Sequence, residues 1–356
     1  MKKATTIRRR VTIGLDVSDR YSRVCVLDVR GQVEREDRMR TTPEAVGAWF
    51  ARYAHARVVL EVGPHSPWIS RLLKAQGHEV VVANPRRVRL IAEADRKSDR
   101  IDAETLARLG RADPKLLRPI EHRGEAAQQH LALLRARDGL VRSRTRLIQC
   151  ARGLAKSFGV RLPSSSTPSF AKRVRERGLE GLFPGLAVLL EQCDALTASI
   201  RQLDREVERL GRERYPETQL LRQVPSVGPI TSLAYVLTVE DPGRFAKSRS
   251  AGAYLGLVPR QRDSGDARPE LAITKRGDEF LRRLLIEAAH YTLGPFGPDS
   301  ALRRFGLRLQ AQGGKRAKKR AVVAVARKLA VLLHRLWVTG EVYHALGAPS
   351  AEVKAA

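Results

Sequence analysis

Val11-Thr12-Ile13-Gly14-Leu15-Asp16-Val17 is the stretch that decides the fold. Val11, Ile13, Leu15 and Val17 alternate with Thr12, Gly14 and Asp16, the period of two that a half-buried strand requires. Asp16 shares the face of Thr12 and Gly14, and a carboxylate near the end of an apolar strand is costly to bury without compensation. Working outward, a second short strand is predicted over 22–28, a turn at Gly31-Gln32 and a third strand near 33–39. Links this short favour an antiparallel meander. Thr42 is placed to cap a helix over 43–55. Residues 57–62 read as an apolar strand, 67–76 as a helix closed by Gly77, 78–83 as a strand stopped by Asn84-Pro85, and 98–110 as a helix. The order βββαβαβα predicts an α/β domain with a mixed sheet.

Beyond residue 120 the pattern changes. Apolar residues recur at helical spacing in highly charged sequence, at Leu131, Leu134, Leu140 and Leu147, then at Leu189, Leu196, Ile200, Leu203, Val207 and Leu210. A Pro/Ser-rich break at 163–168 separates the two runs. This reads as an antiparallel helical hairpin, either a coiled coil for self-association or a helical linker with solvated charges. The last region is predicted to be mainly α-helical. It begins with apolar residues 221–239, which contain the turn Val224-Pro225-Ser226-Val227-Gly228-Pro229, and closes with the basic run 315–320 before an apolar helix over 321–336. The expected organisation is a basic arm over 1–10, an α/β domain over 11–118, the helical hairpin over 119–215, a helical domain over 216–345 and a disordered tail over 346–356.

Composition narrows the function. The 356 residues carry 66 Lys+Arg against 38 Asp+Glu, a formal charge of +28. Such an excess points to a polyanionic partner, because basic side chains that displace counterions from phosphates bind nucleic acid strongly. An anionic membrane is the other polyanion. The apolar stretch 321–338 is interrupted by Arg327, Lys328, His334 and Arg335, which excludes a span of about 20 apolar residues. The apolar run after the basic start reaches Asp16 too soon for a secretory signal. Three separated cysteines form neither a disulfide framework nor a zinc knuckle, and the eight histidines lack metal-ligand spacing. A soluble protein of a reducing cytoplasm, associated with the nucleoid, is expected.

The acidic residues are more informative. Glu61 closes the apolar run Val58-Val59-Leu60, as Asp16 closes the first strand. Asp99 and Asp102, three apart, share one helix face. Four carboxylates so placed suit a pair of Mg²⁺ (or Mn²⁺) ions, which prefer oxygen ligands and leave coordination sites for phosphate and water. Two such ions activate a nucleophile and stabilise the leaving oxygen in phosphodiester cleavage. Each residue alone has an ordinary alternative. Asp99 after Ser98 suits a helix start, Asp16 suits a turn, and Glu61 suits an ion pair. The ordered combination favours the site.

Gly14-Leu15-Asp16-Val17-Ser18, Leu60-Glu61-Val62-Gly63, Asn84-Pro85 and Lys97-Ser98-Asp99-Arg100-Ile101-Asp102-Ala103 occur in an order that resembles the RuvC-like, RNase H-fold domain of the DEDD transposases of insertion-sequence family one hundred and ten. The resemblance implies that Asp16, Glu61, Asp99 and Asp102 are the metal-binding DEDD quartet. Asp19 stands where the family often has Lys, and Ser98 where Thr is more usual. A second set of matches resembles the family's C-terminal transposase domain, with a turn like a helix-hairpin-helix. It comprises the Pro225-to-Gly228 turn, Gly256-Leu257-Val258-Pro259, Ser264-Gly265 and Lys275-Arg276-Gly277 followed by Leu281-Arg282. It implies Ser264 as the nucleophile, with Ser226 a weaker alternative. The family often reads Ser-Gly-Gly-Lys where this chain has Ser264-Gly265-Asp266-Ala267.

A serine hydroxyl needs a base or a nearby cation to act as a nucleophile. Arg260, Arg262, Lys275 and Arg276 are candidates to stabilise the charge that develops at phosphorus. Gly228, in a turn with free backbone N–H groups, and Lys315, Arg316, Lys318, Lys319 and Arg320 are candidate phosphate contacts. The ordinary alternatives are a helix–helix turn and a solvated charged face. The resemblance further implies double-stranded DNA partners (element ends and target), a structured guide RNA, and a homo-oligomer from dimer to tetramer in which different subunits complete one site. Two rival readings stand beside this one. A metal-dependent junction nuclease without a covalent intermediate needs only the quartet. A non-catalytic basic nucleic-acid-binding protein explains the charge but not the acids at strand ends.

Overall fold

In the computed structural model, which describes residues 11–86, 88, 99–261 and 271–346, the alternating stretch forms β1 (Thr12–Asp16) at the centre of a five-stranded sheet ordered β3-β2-β1-β4-β5. β2 (Tyr21–Leu27) and β3 (Val33–Arg40) run antiparallel as the short turns require, whereas β4 (Arg57–Glu61) and β5 (Glu79–Ala83) run parallel to β1. The sheet is therefore mixed. The chain divides into two compact units, residues 1–123 and 124–356. The arm 1–10, residues 87 and 89–98, residues 262–270 and the tail 347–356 lie outside the described residues, as do the side chains of Asp99 and Arg100.

Two layers cover the sheet of the first unit. Ile13, Leu15, Val24, Val26, Val58, Leu60 and Val82 form one apolar core with Val46, Trp49 and Phe50 of α1 (Pro43–Phe50) and Ile69 and Leu73 of α2 (Ser66–Ala75). The other face meets α3 (Asp99–Ala112), through Ala103 and Ala107 against Cys25 and Leu27 and through Leu106 against Val59 and Val81. Thr42 caps α1 by accepting from Ala45 N–H. That helix ends at Phe50, not at 55. The turn that follows places His55 in the left-handed region, at φ 55°, with its ring against the Gly77 carbonyl.

Two histidines tie this unit to pH. Burial lowers the pKa of His78, with His55 adding to the effect. Burial also lowers that of His122, helped by Arg71, Lys74 and Arg123. The unfolded chain then takes up protons near the ordinary value of about 6.5 that the folded unit refuses, so stability is full above that pH and falls below it. The urea midpoint, read from Trp49 and Trp68 in a Trp337→Phe chain, should be lower at pH 5.5 than at 7.5. The gap should narrow in His122→Gln. Equal midpoints at both pH values would contradict this assignment.

The second unit is helical. α4 (Glu125–Ser157) and α6 (Leu186–Glu213) form an antiparallel hairpin, with α5 (Phe170–Glu176) packed at its tip. The buried seam of α6 runs Leu186, Leu190, Cys193, Thr197, Ile200, Val207 and Leu210. Leu189, Leu196 and Leu203 flank it half-buried, so the expected stripe was centred about one residue off at the tip. Ile148, Ala151, Leu190 and Cys193 belong to a tip core, whereas Leu131, Leu134, Val207 and Leu210 belong to a second core shared with the rest of the unit. Between them the buried residues of α4 are Asp138 and Arg144. Arg144 donates to Thr197 and Thr167, Arg137 pairs with Asp204 at 2.5 Å, and Asp138 takes Arg142 and Arg283.

The remaining helices are α7 (Glu217–Leu221), α8 (Pro229–Val239), α9 (Arg249–Tyr254), α10 (Glu279–Leu293), α11 (Ala301–Gln310) and α12 (Gly314–Thr339). The base of the hairpin joins α8, α10 and α12 in one apolar core. At its centre Tyr235 donates to the Ala330 carbonyl at 2.7 Å. The apolar run 221–239 is thus split, with the Pro225-to-Gly228 turn between α7 and α8. The last helix begins at Gly314 and takes in the basic run that was expected to precede it. No helix among the described residues is long and apolar enough to cross a membrane.

Candidate nucleic-acid-processing sites

β1 and β4 are neighbours in register, Leu15 beside Leu60, so the next position in each strand carries Asp16 and Glu61. Their side chains take the face of Gly14 and Val59, two residues earlier, which is the face covered by α3. The contact there is intimate. A Cβ on Gly14 would lie 1.9 Å from the Ala103 carbonyl oxygen and 2.6 Å from the Ala107 nitrogen. At the other end of α3, the Gly110 carbonyl accepts from Arg57 at the start of β4, 3.1 Å away. The helix therefore runs against β1 and β4 and brings its first turn to the edge where both strands end. Asp102 directly precedes Ala103 on that turn, and Asp99 begins the helix.

The ends of β1 and β4, with Asp16 and Glu61, and the first turn of α3, with Asp102, thus lie at one edge of the sheet. Asp16, Glu61 and Asp102 are half-buried, and Asp16 and Glu61 each take part in further polar contacts. Among the described residues no three His, Cys, Asp or Glu side chains approach closely enough to hold an ion, and the Asp99 side chain lies outside that set. The donor chemistry is all carboxylate oxygen, which fits a hard divalent cation. Above the edge, Trp68 Nε1 donates to His65 Nδ1 at 3.0 Å, and His65 Nε2 lies 3.5 Å from Asp19. Neutral His65 consequently carries its proton on Nε2, facing Asp19.

The second group of expected residues lies in the helical unit. Pro259 bridges Ile273 antiparallel, Arg260 N–H donates to the Ala272 carbonyl at 3.0 Å and Thr274 N–H to the Val258 carbonyl at 2.9 Å. The chain between them leaves and returns at one place. It carries Ser264 and Arg262, which lie outside the described residues. Gly256 has φ +69°, and a Cβ there would lie 2.2 Å from the Arg276 carbonyl oxygen. Gly256-Leu257-Val258-Pro259 and Lys275-Arg276-Gly277 are therefore interlocked backbone to backbone. Arg282 completes the lock, donating from α10 to the carbonyls of Leu255 at 3.2 Å and Arg276 at 2.8 Å. Its role was not read from the sequence, although an arginine among Leu281, Leu284 and Leu285 was the visible signal.

Arg260, Lys275 and Arg276 are exposed, as are Lys315, Arg316, Lys318, Lys319 and Arg320 in the first turns of α12. Cations at a helix N-terminus oppose the macrodipole, so their gathering there costs stability. A cleft of about 1820 Å³ is lined by Arg260, Arg316, Lys319 and Arg320 together with Arg327 and Lys328 of α12. Lys275, Arg276, Lys315, Lys318 and Gly228 do not line it. Gly228 is exposed before α8, with open space where a Cβ would stand.

Known proteins match both halves of this arrangement. A transposase family model matches residues 13–158, and the model of the transposase IS116/IS110/IS902 family matches residues 218–304. The chain is 28% identical to the transposase for insertion sequence element IS1111A of Coxiella burnetii, over 93% of this chain and 90% of the relative. It is 30% identical to the transposase for insertion sequence element IS1328 of Yersinia enterocolitica, over 65% of this chain and 69% of the relative. It is also 30% identical to a putative transposase of Sinorhizobium fredii, over 79% and 77%. A mixed sheet with carboxylates at its edge, followed by a helical unit, is thus the architecture of a mobile-element transposase. The chain belongs to the IS110 family of DEDD transposases, a family that implies divalent-metal use and DNA partners.

Proposed function

We propose that this transposase cuts and rejoins DNA through a serine ester, with the carboxylate edge and Ser264 acting on the same phosphate. The adjacency of Asp16 and Glu61 at the ends of paired parallel strands, with the first turn of α3 directed to that edge, carries the reading. Asp16, Glu61, Asp99 and Asp102 are the residues that would hold Mg²⁺ or Mn²⁺, as a pair of ions. Bound there, such ions would supply Lewis-acid polarisation of the scissile phosphate and charge neutralisation at the departing oxygen.

Ser264 Oγ attacks phosphorus and gives up its proton. The P–O bond to the departing strand breaks, and that strand leaves as a free hydroxyl. A hydroxyl of the new partner strand then attacks the phosphoserine ester and releases the serine, so strands rejoin without ATP. Arg260, Arg262, Lys275 and Arg276 balance the charge at phosphorus. Gly228 and the 315–320 run contact backbone phosphates. The element leaves as a circle and inserts at a target selected by a structured RNA, in a dimer or tetramer whose subunits complete each other's sites.

Ser264→Ala tests the nucleophile. Element-end DNA should still bind, and the protein–DNA adduct that survives denaturing electrophoresis should disappear. An adduct that persists would move the nucleophile elsewhere, with Ser226 next.

A further inference from the structure

Asp16 has a second neighbour besides Glu61. In the antiparallel ladder it stands directly opposite Arg23 of β2, and Arg23 stands directly opposite Arg38 of β3. Directly paired residues project from the same face of a sheet. Asp16, Arg23 and Arg38 therefore form a row across three strands, about 10 Å from end to end at the usual strand spacing. Cys25 and Leu27, on the same face of β2, are covered by Ala103 and Ala107 of α3. The row lies beyond them, and both arginines are exposed.

The row costs stability. Like charges directly opposite each other destabilise a sheet, and among the described residues no carboxylate forms an ion pair with Arg23 or Arg38. Arg38 is nevertheless held in place, its guanidinium 3.9 Å from the centre of the Tyr21 ring. Ser18, Asp19, Arg20, Tyr21, Arg23 and Arg38 line a cleft of about 540 Å³. Its one acid, Asp19, has a side chain 92% exposed and lies against His65. By contrast Arg35, on the opposite face of β3, is paired with Asp37 at 2.7 Å. Two exposed arginines in line with a carboxylate, one of them held over the Tyr21 ring, match a run of phosphodiesters.

We propose that Arg23 and Arg38 bind successive phosphates of the DNA strand that runs across β3 and β2 into the carboxylate edge, and so position the phosphate to be cut. This rests on the reading of Asp16 and Glu61 as the cleavage site. The test is salt-dependent binding of labelled element-end DNA by full-length protein carrying Asp16→Asn, so that no cutting intervenes. Removing a side chain that binds one phosphate lowers the slope of log affinity against log salt by about one. Arg23→Gln with Arg38→Gln should lower the slope by about 1.5–2, weaken binding about tenfold or more, and leave the melting temperature equal or higher. Arg35→Gln with Arg52→Gln removes the same charge elsewhere and should change the slope far less.

An unchanged slope in the row variant overturns the inference. So does a weakening seen with RNA probes and absent with DNA, or an equal weakening in the Arg35/Arg52 control. Full cleavage by Asp16→Asn overturns the carboxylate reading instead, and the binding slope still reports on the arginine row.

Discussion

Asp16→Asn is expected to lower DNA strand cleavage at least about a thousandfold while leaving the fold and DNA binding intact. The substitution keeps the shape of the side chain and removes the negative charge from the strand end beside Glu61. A divalent ion at such an edge stabilises the transition state by several kcal/mol, and each 1.36 kcal/mol is a factor of ten in rate. Asp16 lies at the end of β1, where no apolar core depends on it, so melting should move little. Cleavage of labelled element-end DNA, with anisotropy for binding and circular dichroism for fold, separates the effects. Glu44→Gln, which removes an exposed carboxylate in the first turn of α1, should cut normally. Cleavage by Asp16→Asn within tenfold of the parent would remove Asp16 from the metal site.

Gly14→Ala should be nearly as damaging by another route. The added Cβ meets backbone on α3, at 1.9 Å from an oxygen and 2.6 Å from a nitrogen, where no flexible side chain can move aside. β1 is held by β2 on one side and β4 on the other, so the helix must give way. Overpacking of this kind costs about 1–3 kcal/mol or more. The displaced helix also carries Asp99 and Asp102, and a shift of about 1 Å at reacting groups costs about a hundredfold in rate. The first unit should unfold at lower urea, and the protein that stays folded should cut about a hundredfold more slowly. Gly63→Ala, with open space around its Cβ, should do neither. A Gly14→Ala protein of unchanged stability and rate would show that α3 does not need this close approach.

Much of the first unit was legible because its strands obey local rules. Alternation marked β1, Thr42-Pro43 marked the start of α1, and Asn84-Pro85 the end of β5. Where a helix stops is less local, and α1 ends five residues early because the chain turns to place His55 against Gly77. Register is less local still. That Asp16 faces Arg23 depends on how two strands pair, and no spacing along the chain carries it. In the second unit the apolar stripe of α6 was visible, but a leucine-rich face is wider than a seam. The choice of Leu190, Cys193 and Thr197 over Leu189 and Leu196 belongs to the partner helix. The sharing of one core by the hairpin base and α8, α10 and α12 joins residues a hundred or more positions apart, from Leu131 to Leu329. Ser264 rests on motif alone.

The polar waist of the hairpin, Asp138 and Arg144 between two apolar clusters, has a mechanical consequence. Apolar contacts adhere in any alignment, whereas Arg137 with Asp204 and Arg144 with Thr197 are met in only one. The two arms are thereby fixed against sliding, as a toothed belt is. Fraying that starts at the tip meets a stretch with its own separate cohesion before it reaches the base. Tip and base are thus two separate apolar cores set in series along the hairpin, with the polar pairs between them as the element that fixes their alignment.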